Sequence, residues 1–160
     1  MRLQRFLIAG LVLFLDQATK ALVVARFAAD TAIPVIPGLF RLVRVENTGM
    51  AFGLLNDSPS PLVFVLLTII SAALLGFVAY LLWSNQTPSA LGGYGLALIL
   101  GGAAGNVVDR LARGKVIDFL DFYLGGYHWP AFNLADSAIV VGAGLLVIDL
   151  LRGRTSNPSR

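Results

Sequence analysis

Long uninterrupted apolar runs dominate this chain, at about residues 6–27, 61–83, 90–110 and 133–152. About 20 helical residues cross a ~30 Å hydrocarbon core, and each run meets that length. Lipid admits only helices or closed barrels as spanning structures. The runs are continuous rather than alternating, so they predict helices, not barrel strands. The second run carries no charged residue. The pattern therefore predicts an all-α integral membrane protein, one domain over 1–160, with four transmembrane helices.

The start of the chain has a signal-peptide look, with Arg2 and Arg5 ahead of the apolar stretch Phe6–Leu15. However, apolar character resumes after Lys20 with Ala21–Ala25, and no small-x-small cleavage site stands near Ala28–Asp30. The expectation is a first helix that is kept. The loop at about 28–60 is rich in turn formers (Pro34, Pro37, Gly38, Gly49, Gly53, Asn56, Pro59). Within it Leu39–Glu46 alternates as a strand does, and Met50–Leu55 fits a short amphipathic turn of helix. A loop of that length in so small a protein points to function. The connection Ser84–Ser89 is short and uncharged. The loop at about 111–132 holds Phe119, Phe122, Tyr123, Tyr127 and Trp129, aromatic residues that favour a membrane interface.

Composition agrees with a bilayer as solvent. Of the 160 residues 57% are hydrophobic and 13% charged, against about 25% charged in soluble domains. With a mean hydropathy of +0.79, these values exclude an ordinary soluble domain and a disordered one. The net charge of +3 does not indicate nucleic acid, because the basic residues are scattered rather than gathered in a stripe. Arg2, Arg5, Arg152, Arg154 and Arg160 at the termini balance Arg26, Arg41, Arg44, Arg110, Arg113 and Lys115 at the other side, so charge alone does not orient the chain. Cysteine is absent and His128 is the single histidine. Thiol nucleophiles, thiolate zinc, iron–sulfur clusters and multi-histidine metal sites within the chain are thereby excluded.

In so apolar a chain each ionisable residue within a span is a candidate for function. Asp16 and Lys20 stand four apart on one face of the first helix, either as a mutually neutralising pair or as participants in chemistry. The third helix ends Gly101-Gly102-Ala103-Ala104-Gly105-Asn106-Val107-Val108-Asp109-Arg110. Small residues there let another backbone approach closely, and Asn106 and Arg110 share a face. Asn133 is a candidate N-cap that puts Asp136 at the third helical position, which suits a capping carboxylate. Asp118 is flanked by Ile117 and Phe119, a setting in which a carboxyl titrates high. If Asp118 and Asp136 meet, they can share a proton, one acting as base toward water and the other polarising a carbonyl. Spacing alone leaves that meeting open.

Other chemistries lack their parts. The chain has no Gly-x-Ser-x-Gly elbow, no Ser-x-x-Lys and no Gly-x-Gly-Asp signature. A magnesium-dependent lipid phosphotransferase would want clustered carboxylates, and these are scattered. A proton-coupled transporter or channel subunit, with Asp16, Lys20 and the loop carboxylates as a relay, remains the alternative. The small number of spans and the lack of an inverted repeat count against it.

These blocks together resemble the lipoprotein signal peptidase (signal peptidase II) family. The likeness runs through Asp16-Gln17-Ala18-Thr19-Lys20, Asn47-Thr48-Gly49-Met50-Ala51-Phe52-Gly53, Gly101 to Arg110, Val116-Ile117-Asp118-Phe119 and Phe132-Asn133-Leu134-Ala135-Asp136, in that order over nearly the whole chain. The resemblance implies an aspartic endopeptidase of the bacterial inner membrane. It would cut diacylglyceryl-modified prolipoproteins on the N-terminal side of the lipidated cysteine. Asp118 and Asp136 would be the catalytic pair. Asn47, Asn106, Arg110 and Asn133 would line the substrate site, with Asp16, Lys20, Gly102 and Asp109 in support. It implies no cofactor or metal, membrane lipids as neighbours, a monomer, cytoplasmic termini and long loops on the periplasmic side. The first loop would form a small β-cradle and a short helix over the site.

Overall fold

The computed structural model describes residues 2–29, 31–48, 61–84 and 89–155. The element order is α1 (Arg2–Arg26), β1 (Ala32–Ile36), β2 (Phe40–Asn47), α2 (Pro61–Trp83), α3 (Ala90–Arg113), β3 (Val116–Leu124), β4 (Tyr127–His128) and α4 (Leu134–Thr155). All four helices contain segments long and apolar enough to cross a membrane. The turn expected at Met50–Leu55 lies outside the described residues, as does most of the block that follows Asn47.

The helix α3 is the inner one. In its apolar window 61% is buried, against 22% or less for the other three, because α1, α2 and α4 each pack on it. Bare backbone makes this possible. A Cβ on Gly101 would meet the Ala9 carbonyl, one on Gly102 the Ala135 carbonyl, and one on Gly95 the Gly142 carbonyl. In lipid, packing and polar contacts rather than hydrophobic expulsion hold helices together, so such close approaches matter. The outward faces keep large side chains such as Leu7, Leu11 and Phe14 on α1 and Ile69, Ile70 and Phe77 on α2 exposed, as a lipid-facing surface requires. The helix α3 begins at the N-cap Ser89, whose Oγ accepts from the Leu91 and Gly92 amides. It ends at Gly114, whose φ of 67° closes the last turn through an N–H to the Arg110 carbonyl.

The strands form one antiparallel succession, β1-β2-β3-β4. The expected cradle in the first loop is therefore half of a sheet, and the other half comes from the loop after α3. The strand β3 escapes a sequence reading because Val116 to Phe119 are all buried, so both faces are covered and the period-two signal is erased. A bridge between Leu120 and Phe132 ties β3 to the segment that leads into α4.

Candidate active site

Local structure brings Asp118 and Asp136 to one place. In the β2–β3 register Val45 faces Asp118, so Asn47, two residues on, is a diagonal neighbour on the same sheet face. Asn47 Nδ2 donates to Asp118 Oδ2 at 3.0 Å. The Leu120–Phe132 bridge carries Asn133 alongside β3, and Asn133 Nδ2 donates to Asp118 Oδ1 at 2.7 Å. Asn133 is also the cap of α4. Its Oδ1 accepts from the Asp136 amide at 3.0 Å, and its own amide donates to Asp136 Oδ2 at 3.2 Å. This is a reciprocal capping box, with the side chain of Asn133 holding one carboxyl and its backbone the other. The N-cap expected at Asn133 and the third-position carboxylate at Asp136 are both present.

Asn106 joins from α3. Its Nδ2 donates to Asp136 Oδ1 at 2.8 Å, and its Oδ1 accepts from Asn133 Nδ2 at 3.3 Å. Burial pushes the Asp118 carboxyl up to about 7, and the charge of Asp136 adds to that; the hydrogen bonds from Asn47 and Asn133 and the charge of Lys20 oppose it. Arg110 lies close enough to feel both carboxylates electrostatically. Its Nη1 donates to the Asn106 carbonyl at 3.4 Å, while its buried Nε has no hydrogen-bond partner among the described residues.

Beside this group lies a second cluster, from α1 and α3. Lys20 Nζ reaches Asp16 Oδ2 and Asp109 Oδ2 at 2.8 Å each, and all three side chains are fully buried. Asp16 Oδ1 also accepts from the Ala135 amide at 3.0 Å, filling a further orphan donor at the start of α4. Asp109 is paired with Arg113 as well. A Cβ on Gly105 would run into the Asp16 carboxylate, so the glycines of α3 make room for this cluster too.

Some residues of this end carried no expectation. Gln17 Nε2 lies within hydrogen-bond reach of Asp16 Oδ2, the Gly105 carbonyl and Asp109 Oδ1, at 3.1, 3.1 and 3.2 Å. Its place between Asp16 and Lys20 in an apolar run is the signal that could have found it. Glu46 is paired with Lys115 and Arg44, which hold its carboxyl below the usual range. At the far end of the bundle Asp149, in the apolar run of α4, accepts from the Ser89 hydroxyl, and the buried Arg5 donates to the Ser89 carbonyl at 3.4 Å.

Comparison with known proteins follows the same lines. A family model described as signal peptidase (SPase) II matches residues 8–152. The chain is 49% identical over 152 residues to the "Lipoprotein signal peptidase" of Solibacter usitatus, covering 95% of this chain and 93% of that one. It is 46% identical over 147 residues to the protein of the same name from Syntrophus aciditrophicus, covering 90% and 89%. A solved structure described as "Bacterial membrane enzyme structure by the in meso method at 2.3 A resolution" superposes with a TM-score of 0.83 at 29% identity, covering 98% of this chain and 93% of that one. A second, at 1.9 A, gives 0.78 at 32% identity, with 92% of each chain covered. With its apolar helices, its small antiparallel sheet and the gathered aspartates, the chain belongs to the signal peptidase II family, aspartic peptidases of the bacterial inner membrane that process lipoproteins.

Proposed function

We propose that this chain removes signal peptides from diacylglyceryl-modified prolipoproteins, cutting on the N-terminal side of the lipidated cysteine with water activated by Asp118 and Asp136. The observation that carries the reading is the joint hold of Asn133 on both carboxyls, with Asp118 pushed up to about 7. A pair that retains one proton near neutral pH has the two forms that peptide hydrolysis needs. The ionised member takes a proton from water as its oxygen adds to the scissile carbonyl carbon. The protonated member donates to the carbonyl oxygen, which becomes the hydroxyl of a tetrahedral intermediate. The proton taken from water then passes to the amine nitrogen as the carbon–nitrogen bond breaks. The acid is regenerated when the hydroxyl returns its proton.

Arg110 Nε is a buried donor without a partner among the described residues, suited to a substrate carbonyl. Asn47, Asn106 and Asn133 give amide nitrogens to the carboxyls, so the extended substrate backbone would lie against the side of the pair they leave open. The substrate's acyl chains would remain among membrane lipids beside the helices. The site sits where α3 ends and α4 begins. With the termini in the cytoplasm, that end faces the periplasm, where lipidated precursors emerge. The enzyme works as a monomer without a metal or cofactor. The proton-relay alternative fares worse, because Lys20 already has an acceptor for each of its N–H bonds.

The test is cleavage of a lipidated precursor by Asp118→Asn and Asp136→Asn proteins that insert normally. Loss of cleavage in each is expected, and substantial residual cleavage in either would sink the pair.

A further inference from the structure

The side-chain amide of Asn106 has two different ends, and only one orientation suits its neighbours. Its oxygen accepts from the charged Lys20 Nζ at 2.9 Å and, over a longer 3.3 Å, from Asn133 Nδ2, and its nitrogen donates to Asp136 Oδ1 at 2.8 Å. Turning it over would set an amide N–H against an ammonium and an amide oxygen against a carboxylate. Both contacts would be repulsive, and in a buried setting such mismatches are costly. Lys20 itself has no freedom to relax. Its three N–H bonds meet Asp16, Asp109 and Asn106, and it is fully buried.

We propose that Lys20 is a positioning residue for peptide hydrolysis: held by Asp16 and Asp109, its ammonium locks the Asn106 amide with the nitrogen toward Asp136, and so sets the donor side of the carboxyl pair. Lys20 touches neither the pair nor the substrate; it acts through Asn106. Among the described residues, the charged groups near the pair are Lys20 and Asp16 from α1, Asp109 and Arg110 from α3, Asp118 from β3 and Asp136 from α4, with Arg113 neutralising Asp109 from behind. Removing Lys20 takes away a positive charge that favours ionised Asp118, so the alkaline limb of the activity profile should move to higher pH.

The inference rests on the peptidase reading, and the test separates the two. Lys20→Met and the charge-balanced Asp16→Asn/Lys20→Met are assayed beside wild type and Asp118→Asn, on a lipidated peptide in detergent, with thermal unfolding measured on each. Misplacement by about an ångström costs ~10²-fold in turnover, so kcat should fall about that much in both Lys20 variants while KM changes little. The alkaline limb of Lys20→Met should rise. If Lys20→Met does not fold, the balanced pair decides, since Asn at 16 keeps an oxygen for the Ala135 amide. Folded variants with wild-type kcat and pH profile would overturn the proposal. So would activity lost only in proportion to folded protein with the profile unmoved, or failure of the balanced pair to fold. If Asp118→Asn still cleaves, the peptidase reading falls instead; if it is dead while the Lys20 variants match wild type, only the positioning role falls.

Discussion

Two pairs of aspartates sit at one end of this helix bundle, and their partners differ in kind. Asp16 and Asp109 share the Lys20 ammonium, and Asp109 has Arg113 as well. Asp118 and Asp136 take their hydrogen bonds from amides: Asn47 and the Asn133 side chain for one, Asn106 and the Asn133 backbone for the other. A carboxylate with an ammonium in contact keeps its charge neutralised on the spot. One that meets only neutral donors in a buried setting holds its proton more readily, as Asp118 does with a value of about 7. The same residue type, a few side chains apart, thus becomes a brace in one case and a titrating group in the other.

That contrast can be broken at several points. The largest effect falls on the proposed catalytic pair: Asp118→Asn and Asp136→Asn should each lower turnover of a lipidated peptide by ~10⁴-fold, the upper range for general acid–base groups, with little change in thermal unfolding. The brace differs in that stability should fall as well as turnover. Among the described residues, Asp109→Asn leaves Lys20 with one carboxylate and Arg113 with none, and should cost about 3 kcal/mol in a thermal or chemical unfolding experiment. Equal losses of stability from Asp109→Asn and Asp118→Asn would erase the distinction. Asn133→Ala removes an N-cap worth about 1 kcal/mol together with a donor to Asp118, so turnover should fall more than stability does. The smallest effect is that of a chelator. If the carboxyls activate water themselves, EDTA should leave the rate unchanged, and a loss restored by added metal would contradict them.

Much of this was legible in the sequence because the bilayer makes charge costly. Asp16 and Lys20 stand out in the first apolar run, and Asn106, Asp109 and Arg110 at the end of the third. The capping box at Asn133 and Asp136 could be read from local spacing alone. Three things could not. The meeting of Asp118 with Asp136 depends on a β-bridge from Leu120 to Phe132, a pairing with no period in the sequence. The strand β3 hides because both its faces are covered near Asp118. Asp149 in the fourth run shows no partner nearby in sequence, since Ser89, from which it accepts, is the cap of another helix.

The proposed mechanism makes Asp118 and Asp136 one singly protonated pair, with Asp118 the member that titrates close to neutrality. The pH dependence of kcat/KM for a lipidated peptide tests it most directly. A bell is expected, because acid adds a second proton to the pair and base removes the one it needs. The alkaline limb should lie near 7, where Asp118 gives up its proton. A rate that stays flat through neutral and alkaline pH, with chemistry limiting, would rule out the singly protonated pair.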